Sequence, residues 1–346
     1  VASIPDLWHS AILRNSLDLM RYDAHLRTEI IAMLKALGRD LVAELAAAEL
    51  DTPRTDWQRA RLRKLLEEAQ RRIGQTYGDI ADLHQTGMEG ALDAQAGSLV
   101  AALNKAVGFE LLSPVTWTAE QLATLAGDAL VKGAPSADWW ARQSVDLQNA
   151  FADQMRTGML QGEGVGELSA RVRDLQMISQ RNAEALVRTS AMAVNNAAHM
   201  AAYQANSDII KDLQWAATLD PRTCPSCGAQ DGQVWPLGAG HTLPPLHWNC
   251  RCVTVPITKS WEELAARNKG LARELDQMEP GKRSSLGGPV SSDTTWESWL
   301  KGQSEKDQAD ILGPARLKLW RSGKLSLQDL VDQRGNALTL EQLRSR

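Results

Sequence analysis

Apolar positions recur at steps of three and four through the N-terminal part of the chain. Leu62, Leu65, Leu66, Ala69, Ile73, Tyr77, Ile80 and Leu83 lay one stripe along a helix that starts after Pro53, and such a stripe is the buried face of a helix bundle. From Ser179 a second series, Val187, Ala191, Val194, Ala198, Ala201 and Ala205, keeps the same steps with smaller side chains. A seam of small residues lets a neighbouring backbone come close, so this helix is expected to be central. Turn formers cluster near Pro114, at Gly133-Ala134-Pro135-Ser136 and at Gly162-Glu163-Gly164-Val165-Gly166, dividing the region into about six to eight expected helices.

After Asp208 the pattern changes. Leu213–Thr218 and Cys252–Ile257 read as short strands flanking a Gly- and Pro-rich loop. Helical spacing returns over residues 259–277, and Glu279–Pro289 reads as a flexible linker. Beyond it, Trp296, Trp299, Leu312, Leu317, Trp320 and Leu330 anchor short helices in a tail that would be marginal by itself and that is expected to dock elsewhere rather than complete the main core. The expected fold is mainly α: a multi-helix body over 1–160, a small α+β module over 161–258, a helix and flexible linker over 259–292, and a short helical C-terminal segment over 293–346.

Composition narrows the function classes. The 346 residues carry 38 basic and 42 acidic side chains, a net of -4, too balanced for a nucleic-acid coat or a polybasic membrane binder. No stretch approaches the ~20 unbroken apolar residues of a bilayer span. Val1-Ala2-Ser3-Ile4-Pro5 offers neither a positive nor an apolar leader region, so no signal peptide is expected there. Aromatic usage is lopsided, with 12 Trp against 3 Tyr and 2 Phe, which suits either core filling or anchors at an interface.

All four cysteines lie between Cys224 and Cys252, a clustering that reads as metal binding rather than a disulfide framework. Cys224-Pro225-Ser226-Cys227 lets two sulfurs face one ion, and His247-Trp248-Asn249-Cys250 offers a second pair at similar spacing. Zinc is the default for mixed thiolate and imidazole donors, and a full Cys/His set leaves no open position for a catalytic water, so the zinc is expected to be structural. Five candidates compete for four places. Cys224, Cys227, His247 and Cys250 are the expected set, with Cys252 the nearest substitute; a strand would put Cys250 and Cys252 on one side, whereas a turn at Asn249-Cys250 would separate them.

The other polar residues point to less. Arg251 is expected to cap the site or reach a carboxylate, His241 to be a solvated loop residue, and His25, His84 and His199 to be surface or core histidines. Around the cysteines, Arg222 and Arg251 are balanced by Asp220 and Asp231, which disfavours DNA reading by this module. Arg59, Arg61, Arg63, Lys64, Arg71 and Arg72, interrupted by Glu67 and Glu68, read as a solvated helix face, with packaged nucleic acid the alternative contact. Phosphate-binding loops, G-x-S-x-G elbows and H-E-x-x-H motifs are absent from the sequence, so no catalytic residues are assigned.

Arg188-Thr189-Ser190 and Asn195-Asn196 on a small-residue helix, then Trp215, Asp220-Pro221-Arg222-Thr223-Cys224-Pro225-Ser226-Cys227, Asp231-Gly232 and Pro244-Pro245-Leu246-His247-Trp248-Asn249-Cys250-Arg251-Cys252 follow in order. This stretch, about 165–258, resembles the phage Mu F-like (MuF) head morphogenesis family. Trp296-Glu297-Ser298-Trp299-Leu300, Leu312-Gly313-Pro314-Ala315-Arg316 and Gly323-Lys324-Leu325 are similar to the C-terminal extension of many phage members. The N-terminal residues to about 160 match no motif.

The resemblance implies a minor head protein of a tailed phage or prophage, located in the virion after assembly in the host cytoplasm. Its implied partners are the portal protein, the major capsid protein or both, with packaged DNA an alternative contact. Some relatives carry toxin domains, but the residues after Pro256 show no convergent catalytic set, so a structural protein is expected rather than an enzyme. A DNA-contacting or ejected protein and an injected enzyme stand as the alternative classes.

Overall fold

The computed structural model describes residues 4–48, 56–260, 263–264, 282–291, 293–323, 325–331 and 337–344. It is mainly helical, with a small three-stranded antiparallel sheet. Before the sheet come α1 (Ile4–Ala47), α2 (Asp56–Val107), α3 (Ala119–Asp128), α4 (Ser136–Gln161) and α5 (Val165–Ala205). These are fewer and longer than the expected six to eight, because α1 and α2 run unbroken for 44 and 52 residues. At Gly87 the bare backbone accommodates a partner: a Cβ would lie 2.8 Å from Leu26 Cδ2. The breaks expected near Pro114, Gly133 and Gly162 are all present.

The chain forms two compact units, and α1, α2 and α5 contribute residues to both. One unit comprises Met20–Ala91 and Ala119–Ala191. Its core includes Leu34 and Leu41 of α1, Ile73 and Tyr77 of α2, Phe151 of α4 and Val172 of α5, all buried at helical spacing. His84 is fully buried, edge-on to Trp140 at 5.5 Å. At the turn between α4 and α5, Arg171 pairs with both carboxylate oxygens of Glu163, each at 2.6 Å.

The other unit comprises Val1–Leu19, Leu92–Thr118 and Met192–Arg346. Trp8 Nε1 donates to the Leu103 carbonyl at 2.9 Å, Asn15 Nδ2 to Ser98 Oγ at 3.1 Å, and Asn195 Nδ2 to Ser16 Oγ at 3.4 Å. Asn206, just past α5, fixes the segment after α2. Its Oδ1 accepts from Ser113 N–H at 2.8 Å and its Nδ2 donates back to the Ser113 carbonyl at 3.1 Å.

The sheet is ordered β2 (Val234–Pro236), β1 (Ile210–Ala216), β3 (Val253–Thr258), with β1 antiparallel to both neighbours. β1 and β3 are the two strands expected from the sequence; β2, of three residues, was not anticipated. The C-terminal half of α5 is tied to β3 by two side chains. Asn196 Nδ2 donates to the Cys252 carbonyl at 3.3 Å and Tyr203 OH to the Thr254 carbonyl at 3.0 Å.

The flexible linker expected over Glu279–Pro289 is corrected by a hairpin of β4 (Lys282–Ser285) and β5 (Gly288–Ser291). The reason is Arg283, whose side chain is buried against Asp231. The helix expected over 259–277 lies outside the described residues apart from 263–264. The tail forms α7 (Trp296–Lys301), α8 (Glu305–Leu312), α9 (Pro314–Arg321), a 3-10 turn at Gln328–Leu330 and α10 (Leu340–Arg344). Short helices were expected there, but docking away from the main core was not what formed: Trp296, Trp299 and Leu300 share a buried cluster with Leu219 and Ala229 of the cysteine-bearing module.

Tryptophan use is also resolved. Trp8, Trp140, Trp215, Trp235, Trp296, Trp299 and Trp320 are buried, so these residues fill cores within the chain and are not exposed anchors.

Candidate metal centre

The loop leaving β1 folds back through its own polar residues. Thr223 Oγ1 donates to the Thr218 carbonyl at 2.6 Å, and Asp220 Oδ1 accepts from Arg222 N–H at 2.9 Å. This delivers Cys224 to the N-cap of α6 (Pro225–Gln230), where Pro225 suits the first turn because it has no N–H to leave unpaired. Cys224 Sγ accepts from the Cys227 N–H at 3.4 Å, so the C-x-x-C turn points both sulfurs the same way.

The second donor pair arrives on the loop before β3. Cys250 N–H donates to the His247 carbonyl at 3.1 Å, and Asn249 takes the left-handed conformation at φ 59°. Cys250 thus follows a turn and Cys252 immediately precedes β3, yet the turn does not part them: their sulfurs lie within 4.8 Å of each other.

All five candidate ligands converge. The donor atoms of Cys224, Cys227 and His247 lie within 4.8 Å of one another, and so do those of Cys227, Cys250 and Cys252. Cys227 belongs to both groups. His247 Nε2 is 3.2 Å from Cys224 Sγ and 3.1 Å from Cys227 Sγ, and Cys227 Sγ is 3.8 Å from Cys250 Sγ. The sulfur separation equals the edge of a tetrahedron with metal–sulfur bonds of ~2.3 Å, ~3.8 Å. His247 Nδ1 lies 2.9 Å from the Trp248 carbonyl, and the tautomer protonated there leaves the Nε2 lone pair for the ion. These groups can hold a metal ion.

The electrostatics agree with that chemistry. A hydrogen bond from Cys227, with His247 beside it, brings the Cys224 thiol down to about 4, and Cys224 raises His247 to about 9. Hydrogen bonds from Cys227 and Cys252 bring Cys250 down to about 2. Cys227 is pushed up by its neighbours Cys224 and Cys250. A bound dication would displace the protons of these closely spaced thiols and take the thiolates.

Arg251 reaches a carboxylate, as the sequence suggested: its two terminal nitrogens are 2.5 and 2.7 Å from Asp220. His241 is outside both donor groups. Its ring stacks on Trp235 at 4.0 Å and its Nδ1 lies 2.9 Å from the Thr242 carbonyl. His84 and His199 are core residues and His25 is exposed beside Glu29. Arg71 and Arg72 are engaged by Glu68, and Arg72 by Glu44 at 2.8 Å as well, which accounts for part of the basic run as a paired helix face. Sequence reasoning did not find Asn196 and Tyr203 as supports of β3. Their signal was present only as polar residues on an otherwise small, buried helix.

Residues 149–255 match the family described as Phage Mu protein F like protein. The segment takes in part of α4, all of α5, the sheet through Val255 and every candidate ligand. Among curated proteins, an uncharacterized protein of Haemophilus influenzae is 27% identical over 137 residues, 38% of this chain and 29% of that protein. The minor head protein GP7 of Bacillus phage SPP1 is 29% identical over 131 residues, 34% of this chain and 42% of that protein. The chain thus spans less than half the length of the curated relatives it matches. No solved structure matches the chain.

Proposed function

We propose, with the Mu F-like match over residues 149–255 as premise, that this chain is a structural minor head protein of a tailed phage, acting in head morphogenesis. It would enter the virion during assembly in the host cytoplasm. Its partners are the portal protein, the major capsid protein or both. The observation carrying this reading is the overlap of the matched segment with the part of the chain that gathers the cysteines and histidine between β1 and β3. The ion is zinc, in a structural role: thiolate-rich donors suit it, and four protein ligands leave no place for a reacting water. Cys224, Cys227 and His247 hold it, with Cys250 the fourth ligand and Cys252 beside it.

A role in contacting DNA has less support, since Arg71 and Arg72 are paired with acidic side chains. No helix among the described residues is long and apolar enough to cross a membrane. The test is co-expression with the portal and major capsid proteins of the same phage. Co-purification that persists at ~0.5 M salt, where exposed charges are screened, is the expected result. Absence of the protein from purified heads, or association with DNA alone, would replace the reading.

A further inference from the structure

We propose that the ion held by Cys224 and Cys227 also governs the docking of the C-terminal segment from Lys282 onward, so that metal binding and docking are coupled. This rests on the metal reading above and concerns residues outside the ligand set. At six residues, α6 is too short to persist unaided, so what touches its sides must hold its shape. One side presents the ligands. The other presents Gly228 and Ala229 to the tail.

The fit at Gly228 is tight. A Cβ there would lie 2.3 Å from Cε3 of Trp296 and 2.6 Å from its Cζ3, so the indole occupies the space that any side chain would need. Trp296 is fully buried in that seat, and Ala229 and Leu219 lie in the same cluster as the tail residues Trp299, Leu300 and Leu312. Gly228 follows the ligand Cys227 directly, and its N–H bonds to the carbonyl of Cys224 at 3.0 Å. The turn that shapes the metal site is therefore the turn that shapes the seat.

A second attachment sits at the end of the same helix. Asp231, its C-cap residue, accepts from Arg283 Nη1 at 2.9 Å, from Arg283 Nη2 at 2.6 Å, from Trp296 N–H at 2.6 Å and from Ala217 N–H at 2.6 Å. Arg283 also donates to the carbonyls of Ala217 and Thr294. One buried carboxylate thereby joins β1, α6, the hairpin and the start of α7. If the ion leaves, α6 loses the contacts on its ligand side, and both attachments move with it. Coupling of this kind is reciprocal: whatever factor the ion adds to docking, docking adds to the affinity for the ion.

The experiment uses the full chain loaded with Zn²⁺. Trypsin should fail to cut after Arg283 in the loaded protein, where that side chain is buried, and should cut there after chelation while α4 and α5 stay intact. Trp296→Ala should keep one Zn²⁺ but bind it about tenfold more weakly in chelator competition, with Arg283 open to trypsin even when loaded. Gly228→Ala, which changes no ligand, should act in the same direction and guards against a fold defect particular to the tryptophan variant. Zn²⁺ affinity unchanged in both variants, or Arg283 still protected after the metal is removed, would overturn the coupling. A wild-type chain that takes up no Zn²⁺ at all would instead overturn the metal reading, and the coupling with it.

Discussion

Arg251 places its guanidinium across the carboxylate of Asp220, at 2.5 and 2.7 Å, although 31 residues separate them. The pair joins the loop that leads into the C-x-x-C turn to the run that carries Cys250 and Cys252. It holds the two halves of the donor set at a common spacing before any ion is considered. Arg251 retains 19% side-chain exposure and Asp220 10%, so the pair is neither fully screened nor fully dry.

Asp220→Asn should destabilise the cysteine-bearing module by about 2 kcal/mol, because Arg251 is left half-buried with its charge uncompensated. Burial alone would raise the Asp220 carboxyl, but hydrogen bonds and charge from Arg251 bring it below its ordinary value. A lowered folded pKa means the contribution is complete above the unfolded carboxylate value of ~3.9 and is lost as pH falls through the folded value. Urea midpoints for both proteins should therefore differ at pH 7 and converge in strong acid.

One zinc per chain is expected by elemental analysis of protein purified without chelator. Cys224→Ser should abolish it and unfold mainly residues 210–258, read by hydrogen exchange, since coordination supplies much of the folding energy of a module this small. Cys250→Ser should weaken binding more than Cys252→Ser. The reverse order would exchange the two residues' roles.

Acid should weaken both units through their buried histidines. Desolvation lowers His84 to about 4 and His199 to about 3, and neither ring nitrogen of either residue has a hydrogen-bond partner among the described residues. Below the unfolded value of ~6.5 the unfolded chain binds the proton and the folded chain does not, so stability falls from pH 6.5 toward 4. At pH 5 the loss is about 2 kcal/mol for each residue. Replacing either histidine by Leu should flatten the pH dependence of the unfolding midpoint between pH 7 and 5.

Asn206→Ala should cost about 2 kcal/mol, since it removes both hydrogen bonds to the Ser113 backbone, each worth about 1 kcal/mol. Asn206→Asp keeps an acceptor for Ser113 N–H and should retain part of the loss. Thermal denaturation of the two variants measures the difference.

The candidate cluster was legible because metal spacing is local: C-x-x-C and H-x-x-C announce themselves within four residues. The turn at Asn249 could be named as an option but not chosen, since a positive φ at a non-glycine depends on what surrounds it, and that the sulfurs of Cys250 and Cys252 stay together despite it was not legible. Helix character was legible from apolar spacing, whereas helix length was not. Gly87 lies inside α2 with Leu26 filling the space above it, a contact that no spacing names. The hairpin at Lys282–Ser291 was missed for a different reason. Its sequence, Lys-Arg-Ser-Ser-Leu-Gly-Gly-Pro-Val-Ser, has no apolar alternation, because Arg283 rather than an apolar face fixes it. Asp231, Arg283 and Trp296 are far apart in the chain, and no local pattern links them.

The outer side of β3 has a consequence for how copies of this chain can associate. Along that side the carbonyls of Cys252 and Thr254 are already taken by Asn196 and Tyr203, and Pro256 has no N–H to offer. At the opposite rim β2 is three residues long and ends in Pro236. A strand from another molecule would find no continuous ladder on either rim, which is how native sheets resist edge-to-edge polymerisation. What another copy can touch on this sheet is therefore its side chains and not its backbone.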